Sequence, residues 1–213
     1  MSEHAWEKSS KRERTRRQRE RPILNRISRA TRFRFKLRKN RKKLLLDVFG
    51  SGSRVIDVGC GRGKLLPKPI IPFGIEISPV LAETADDAMR ERGGHCVHAP
   101  AIEGLGTLEA KTFDGVLLNS FLEHEIKPLP LLKEVFRVLR PNGTVYIRVP
   151  NFGSLNRKLL GARWCGFRYP DHVNYFTPAS LKALCHRAGF RMHLVNRLNI
   201  HLDDNIKAVL NPL

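Results

Sequence analysis

The sequence predicts an α/β fold built on a mainly parallel sheet, and two adjoining features carry this prediction. The β-branched run Arg54-Val55-Ile56-Asp57-Val58 is typical of a short buried parallel strand. Gly59, Gly61 and Gly63 follow it at alternate positions, and glycine lets the backbone turn sharply and approach a ligand without a Cβ in the way. Open α/β sheets bind their ligands at this place, beyond the carboxyl ends of the strands.

Length and composition exclude several classes of protein. The chain has 213 residues, of which 41% are hydrophobic, so we expect one domain with its own core plus a tail. No apolar run approaches the ~18 residues of a membrane-spanning helix. The first ten residues are polar and include Glu3 and Glu7, so no secretory signal is expected.

The cysteines indicate a reducing compartment. They are scattered and contain no C-x-x-C pair, which is typical of reduced thiols in a cytoplasmic protein: Cys60, Cys96, Cys165 and Cys185. His95, Cys96 and His98 lie close along the chain, but alternate residues of a strand point to opposite faces. No metal centre is therefore predicted.

Charge divides the chain into an arm and a domain. The net charge is +19, and residues 1–43 hold 18 Lys and Arg against 4 Asp and Glu, whereas residues 44–213 hold 21 against 16. Residues 1–43 are predicted to be a basic N-terminal arm, partly disordered or helical, and residues 44–213 the domain. The arm has three interpretations: it binds a nucleic acid, it lies on an anionic membrane surface, or it is a solvated tail whose last part packs over the site.

The second predicted strand ends in an acid. Phe73-Gly74-Ile75-Glu76-Ile77 places Glu76 nineteen residues after Asp57, and a carboxylate can accept two hydrogen bonds from a diol. The loop D-V-G-C-G-R-G fits neither the dinucleotide pattern nor a P-loop. With these residues the chain resembles class I S-adenosylmethionine-dependent methyltransferases. The resemblance implies that the glycine loop lies against the methionine part of S-adenosylmethionine and that the acid takes the ribose hydroxyls. The implied cofactor-binding residues are Asp57, Gly59, Cys60, Gly61, Gly63, Glu76, Ile77, Ala101, Ile102 and Asn119.

Later segments extend the resemblance over residues 44 to 197. Phe113–Asn119 is similar to the fourth strand of these enzymes, a helix is predicted over Leu131–Leu139, and Thr144–Val149 alternates as a fifth strand. The family implies a Rossmann-like sheet of seven strands in the order 3-2-1-4-5-7-6, with the last strand antiparallel. The subgroup that the chain resembles most is that of ubiquinone-pathway-like O-methyltransferases, on Leu122-Glu123-His124, Val149-Pro150-Asn151, the segment Asp171–Pro178 and Ala188-Gly189-Phe190.

The sequence departs from the family pattern at three places. Three prolines within Lys64–Pro72 predict that the first helix is about one turn or absent. After a third strand at Gly94–His98, Pro100 stands where the family often has an Asp, so backbone and apolar contacts from Ala101 and Ile102 are expected to hold the adenine. The last strand is poorly marked, and residues 206–210 are its one candidate.

Candidate catalytic residues are His124, His172 and Glu123. Methyl transfer to oxygen requires positioning of the acceptor and a base that takes its proton, often His or a carboxylate. His124 follows the fourth strand, and His172 stands beside Asp171, which could raise the basicity of its imidazole. The alternatives are that both histidines are structural, and that Glu123 with His124 binds substrate or a divalent cation.

The segment 151–178 is too long for a simple connection, so we expect it to cover the site. It is rich in aromatic and cationic residues, which suits an anionic or ring-bearing acceptor, although Trp164 and Phe167 fit a core equally well. We therefore predict a cytoplasmic S-adenosylmethionine-dependent methyltransferase that acts on an oxygen of a small-molecule or glycan-like acceptor. The alternatives are an RNA or protein methyltransferase that uses the basic arm, and a non-catalytic binding protein that retains the fold.

Overall fold

One seven-stranded sheet organises the computed structural model, which describes residues 31–213 and the side chains from residue 40 onward. The strands are β1 (Arg54–Val58), β2 (Ile71–Glu76), β3 (Cys96–His98), β4 (Phe113–Asn119), β5 (Leu139–Pro150), β6 (Phe190–Leu194) and β7 (Asn205–Pro212). Their order is β3-β2-β1-β4-β5-β7-β6. Pairing is parallel from β3 to β5, and β7 runs antiparallel to both β5 and β6. The predicted fold class and sheet order are confirmed.

Six α-helices of the described chain connect or cover these strands. They are α1 (Thr31–Phe49), α2 (Pro79–Arg90), α3 (Ala101–Gly106), α4 (Pro128–Val138), α5 (Leu155–Leu160) and α6 (Pro178–Arg187), with 3₁₀ turns at Leu122–His124, Gly161–Arg163 and Arg197–Asn199. Proline in the first turn starts α2, α4 and α6, where a missing N–H has no consequence. Within residues 31–213, no helix has the length and apolar character needed to cross a membrane.

Sequence patterns located β1 and β4 with their observed bounds but placed other elements less well. The third strand begins at Cys96 rather than Gly94, and the helix expected from Leu131 begins three residues earlier. The strand expected from Thr144 begins at Leu139, because the register between β4 and β5 shifts and takes in the exposed Arg140-Pro141-Asn142. The last strand, β7, extends beyond the predicted residues 206–210 at both ends.

The C-terminal part of α1 packs on one face of the sheet. Leu45 and Phe49 are buried there against Val55 of β1, Leu117 of β4 and Tyr146 of β5. Gly115 leaves room for the Phe49 ring, which a Cβ at that position would meet. The boundary predicted at residue 43 therefore falls inside a continuous helix. Residues 1–30 lie outside the described residues, and the division into arm and domain stays a prediction.

No helix follows β1, as the three prolines predicted. Residues 59–70 form turns, and Leu66 and Ile70 pack against α1. The Arg92 guanidinium donates to the carbonyl oxygens of Leu66, Pro67 and Ile70 at 3.0, 2.8 and 2.7 Å. One cation thereby satisfies acceptors that a helix would have paired, and it fixes the loop beside the start of β2.

Candidate functional site

The glycine loop leaves β1 in a conformation that only glycine adopts readily. Gly59, Gly61 and Gly63 have φ of +73°, +58° and +64°, in the left-handed region where a Cβ is strained. The amides of Gly59 and Cys60 both donate to the Ile75 carbonyl oxygen, at 2.8 and 3.1 Å. The loop is thereby held against the end of β2.

The three glycines differ in what surrounds them. A Cβ at Gly59 would lie 2.5 Å from the Phe121 ring, and one at Gly63 would lie 3.3 Å from Ala85 of α2. A Cβ at Gly61 would meet no atom within 4 Å. Gly59 and Gly63 are therefore needed for packing within the chain, whereas Gly61 borders open space in which a ligand can approach the backbone.

Glu76 is fixed beside this open space. Its side chain is buried, Oε2 accepts a hydrogen bond from the Gly61 amide at 2.8 Å, and Oε1 accepts one from the Ser78 amide at 3.1 Å. Each carboxylate oxygen keeps capacity for a further hydrogen bond. Glu76 at the end of β2 is therefore in direct contact with Gly61 of the glycine loop.

Asp57 lies beneath the loop and is also buried. Burial and, secondly, the negative charge of Glu76 together raise the pKa of its carboxyl group to about 8. The two carboxyl groups interact electrostatically near the ends of the strands, and a positive charge placed beside them would favour the ionised form of Asp57. This end of the strands therefore favours a ligand that brings a positive charge.

The remaining predicted cofactor residues lie along the same edge. Ile77 follows β2 and is half-exposed, Ala101 and Ile102 open α3 immediately after Pro100, and Asn119 ends β4. The carboxyl ends of parallel strands meet at one edge of a sheet, so these residues form one row with the glycine loop. Their contact with a cofactor stays a prediction.

The structure brings together the three predicted catalytic residues. Glu123 and His124 lie in the 3₁₀ turn after β4, and His172 enters from the segment 151–178. Potential ligand or proton-carrying atoms of all three lie within 4.8 Å of one another. The two imidazole rings meet edge to face with centroids 4.8 Å apart.

Backbone hydrogen bonds fasten the covering segment to this turn. The amides of Val173 and Asn174 donate to the Glu123 carbonyl oxygen at 2.9 and 3.1 Å. The Asn174 side-chain amide donates to the carbonyl oxygens of Leu122 and Glu125 at 3.2 and 2.6 Å. The predicted motifs L-E-H and D-H-V-N are therefore one structural unit.

Both imidazoles are held in one tautomer. Nδ1 of His124 lies 2.7 Å from the Asp171 carbonyl oxygen, and Nδ1 of His172 lies 2.8 Å from that of Gly166. A carbonyl oxygen only accepts, so each Nδ1 donates and each Nε2 carries a lone pair in the neutral ring. Burial lowers the pKa of His124, and it lowers that of His172 to about 4. The expected gain in His172 basicity from Asp171 is outweighed by burial.

Glu123 is the unsatisfied member of the cluster. Its side chain is 1% exposed, and no hydrogen-bond partner for Oε2 occurs among the described residues. Burial raises the pKa of this carboxyl group to about 7, against the opposing effect of the Arg148 and Arg168 charges. A buried carboxylate oxygen without a partner is costly unless a proton, a ligand or a cation satisfies it. Glu123, His124 and His172 also have the side-chain types that a divalent cation accepts.

Two residues next to the cluster were not predicted from the sequence. Ser120 has φ of +57°, an uncommon conformation for a residue with a side chain and one that concentrates at functional sites. Its amide donates to the Arg148 carbonyl oxygen at 2.8 Å, and burial lowers the pKa of the Arg148 guanidinium. Arg148 is a charged residue within the otherwise apolar end of β5, and this break in the pattern could have indicated a functional position.

Aromatic rings form the inside of the covering segment. Phe152, Trp164, Phe167 and Tyr175 pack on one another with centroid separations between 5.3 and 6.3 Å. Trp164 is 2% exposed and its indole N–H donates to Asp204 at 2.9 Å, whereas Phe167 is 37% exposed. Trp164 is therefore part of a local core, and Phe167 retains an accessible face.

Comparisons with known proteins agree with this arrangement. The family model of the methyltransferase domain matches residues 28–195. A ubiquinone biosynthesis O-methyltransferase of Xanthomonas axonopodis pv. citri is 27% identical over 158 residues, which cover 68% of this chain and 66% of the relative. One from Methylococcus capsulatus is 32% identical over 155 residues, which cover 65% and 63%. The chain spans about two thirds of the length of these relatives.

Solved structures show the same fold at low identity. A SAM-dependent methyltransferase from Archaeoglobus fulgidus superposes with a TM-score of 0.65 at 22% identity, covering 82% of this chain and 93% of that one. A Burkholderia thailandensis 1,6-didemethyltoxoflavin-N1-methyltransferase, solved with S-adenosylhomocysteine, gives 0.61 at 18% identity, covering 100% and 91%. The chain belongs to the methyltransferase domain family, and it is a class I methyltransferase whose cofactor is S-adenosylmethionine.

Proposed function

We propose that this methyltransferase acts on a hydroxyl group of a small-molecule acceptor, with His124 as the general base. The observation that carries the proposal is the pair of fixed tautomers beside Glu123, which leaves Nε2 of a partly exposed imidazole free to accept a proton. Because burial lowers the pKa of His124, its ring is neutral at physiological pH and competent as a base. The similarity to ubiquinone biosynthesis O-methyltransferases supports oxygen as the methylated atom.

The residues of the glycine loop fit S-adenosylmethionine. The open space over Gly61 would admit the cofactor, and the free acceptor capacity of Glu76 suits the ribose hydroxyls. Asp57 would face the positively charged amino-acid part, while Ala101 and Ile102 would border the adenine. When bound, the cofactor supplies a methyl group on a sulfonium sulfur, and the acceptor oxygen attacks the carbon of that methyl group in line with the carbon–sulfur bond.

The catalytic roles follow from the hydrogen bonds of the cluster. The Nδ1–H of His124 donates to Asp171, so Nε2 is the atom that takes the proton from the acceptor hydroxyl. The Glu123 carboxylate would stabilise the imidazolium that forms, and the His172 ring would hold the His124 ring by its edge contact. A positioned base of this kind contributes about 10²–10⁴-fold to the rate.

The covering segment and β5 indicate the chemistry of the acceptor. Phe167 offers an accessible aromatic face, and Arg148 and Arg168 place positive charge around Glu123. An aromatic ring of the acceptor would stack on Phe167, and an anionic substituent would interact with Arg148 and Arg168. A phenolic acceptor with an acidic substituent therefore suits the site better than a neutral aliphatic alcohol. A glycan-like acceptor would instead need to stack a sugar face on Phe167.

His124→Gln is the variant that tests this proposal. Gln keeps a hydrogen-bonding side chain but cannot act as a base, so methyl transfer is expected to fall at least a hundredfold while S-adenosylhomocysteine binds with unchanged affinity. The assay is transfer of label from S-adenosylmethionine to fractions of a cell extract, followed by mass analysis of the product. Transfer that survives in His124→Gln would contradict the proposed base. Transfer that a chelator abolishes in the unaltered chain would identify the cluster as a cation site instead.

A macromolecular acceptor is the second candidate, and the position of α1 favours it. Arg41, which the charge pattern assigns to the basic arm, is close enough to Arg148 to lower the pKa of that guanidinium, after the larger effect of burial. The arm would thus join the domain near the catalytic cluster. Incubation of the full chain with labelled cofactor and separate RNA, protein and small-molecule fractions decides between the two acceptors. Cofactor binding without transfer to any fraction would support the non-catalytic alternative.

A further inference from the structure

Two cysteines that are far apart in sequence meet at the glycine loop. Sγ of Cys60, between Gly59 and Gly61, lies 3.5 Å from Sγ of Cys96, the first residue of β3. Strand β2 lies between β1 and β3, and the contact passes over it at Gly74. A Cβ at Gly74 would lie 2.6 Å from the Cys60 sulfur, so glycine there makes the contact possible.

The two sulfurs differ in environment. Cys60 is buried and packs with Ala85 and Met89 of α2, whereas Cys96 is half-buried on the edge strand of the sheet. The hydrogen bond with Cys96 and burial raise the pKa of the Cys60 thiol, and the carboxylates of Asp57 and Glu76 act in the same direction. Cys60 therefore stays protonated, and Cys96 is the sulfur that an oxidant in solution reaches first.

We propose that Cys60 and Cys96 form a reversible disulfide that weakens cofactor binding, with hydrogen peroxide as the oxidant. The Cys96 sulfur attacks one peroxide oxygen, the O–O bond breaks, and a sulfenic acid forms while the Cys96 proton joins the departing hydroxide as the first water. The Cys60 sulfur then attacks the Cys96 sulfur, the S–O bond breaks, and the Cys60 proton leaves with the hydroxyl as water. Two thiols and one peroxide thus give one disulfide and two waters. A small-molecule thiol reverses the reaction through a mixed disulfide.

The location of Cys60 couples this bond to the cofactor. A disulfide requires the sulfurs to approach from 3.5 Å to about 2.05 Å, which draws Cys60 toward β3. Its neighbour Gly61 borders the open space, and its amide is bonded to Glu76. The inference rests on the proposed placement of the cofactor at this loop. Because coupling is reciprocal, bound S-adenosylhomocysteine must oppose disulfide formation by the same factor.

The experiment uses the full chain with Cys165→Ser, which removes the exposed cysteine and prevents crosslinks between molecules. The affinity for S-adenosylhomocysteine is measured by calorimetry on the reduced chain, after peroxide, and after re-reduction. We expect a peptide crosslink between Cys60 and Cys96, an affinity at least about tenfold lower, and full recovery with thiol. In glutathione buffers, saturating S-adenosylhomocysteine stabilises the dithiol form and should therefore raise the midpoint reduction potential by about 30 mV per tenfold of coupling.

Cys96→Ser in the same background is the matched control, because it keeps Cys60 and its loop but cannot form the bond. Its affinity should be insensitive to peroxide. Absence of the crosslink under peroxide that fully oxidises Cys165 in the unaltered chain would overturn the proposal, as would a crosslinked chain with undiminished affinity. A reduced chain that fails to bind S-adenosylhomocysteine would overturn the cofactor placement and the coupling, while the crosslink is read independently by mass.

Discussion

Asp57→Asn is expected to stabilise the free chain and to do so more strongly as the pH rises. Burial, followed by the Glu76 charge, raises the pKa of the Asp57 carboxyl from its ordinary value of 3.8 to about 8. Between these values the folded chain holds a proton that the unfolded chain has lost. The free energy of unfolding therefore falls as the pH rises from about 4 to 8, and above 8 the folded chain contains a buried anion.

The magnitude follows from the displacement of the pKa. About four pKa units at roughly 1.36 kcal/mol each set an upper limit of about 5 kcal/mol on the loss between acid and alkaline pH. Local relaxation gives the anion some solvent contact, so we expect on the order of 1–3 kcal/mol. Asparagine has the shape of the protonated carboxyl and does not titrate, so the variant and the unaltered chain should be about equally stable near pH 4.

Urea unfolding at several pH values between 4 and 8.5 measures this difference. Asp87→Asn, at an exposed position of α2, is the matched control and should show no growing gain in stability with pH. Binding should change in the opposite sense. A cationic ligand group favours ionised Asp57, so the affinity of the unaltered chain for S-adenosylhomocysteine should rise with pH up to about 8 and level off above it, and Asp57→Asn should lose this rise. A stability gain that is independent of pH would refute the reasoning.

Three further predictions test the loop, the acid and the arm. Gly61→Val should abolish calorimetric binding of S-adenosylhomocysteine and leave the circular dichroism spectrum unchanged, while Gly52→Val, which introduces a positive-φ valine into open space outside the loop, should bind normally. Glu76→Ala should weaken that binding tenfold or more, since each charged hydrogen bond contributes about 1.5–3 kcal/mol; an effect below twofold would mean that Glu76 does not touch the cofactor. For six phosphate contacts, the affinity of the full chain for RNA should fall with salt concentration with a log–log slope of about −4 to −5. A chain beginning at Thr31 should lose most of its affinity for RNA but keep its fold. If the full chain binds neither RNA nor anionic vesicles, the arm is a solvated tail.

Elements whose residue pattern can be recognised without knowledge of their neighbours in space could be predicted from the sequence. β1 and β4 are short apolar runs with clear ends, and the glycine loop and Glu76 follow directly from such runs. The three prolines after β1 likewise predicted the missing helix, because proline excludes a helix interior whatever surrounds it. The order of the strands came from the resemblance to a family, since no periodicity within one strand encodes its neighbours.

Features that depend on strand order could not be obtained from local patterns. Cys60 follows β1 and Cys96 begins β3, and the two meet because only β2 separates these strands in the sheet. Their separation in sequence does not indicate this contact. The start of α1 was likewise not located from the sequence, and its C-terminal part is buried against β1, β4 and β5, which lie apart from it in the sequence. Ser120 has a positive φ and donates its amide to the Arg148 carbonyl oxygen, a contact that depends on β5 lying beside β4.

The two proposed parts of the site, one for the cofactor and one for the acceptor, are held by different segments of the chain. The proposed cofactor half lies at the sheet edge, where the Gly61 amide and the Glu76 carboxylate are hydrogen-bonded to each other. The proposed acceptor half depends on the hydrogen bonds by which Asn174 and Val173 fasten the covering segment to the turn that carries Glu123. Changes in the covering segment can therefore alter the acceptor without altering cofactor affinity. For the same reason, Asn174→Ala should impair methyl transfer while leaving S-adenosylhomocysteine binding intact, and equal loss of both would show that the two halves are not independent.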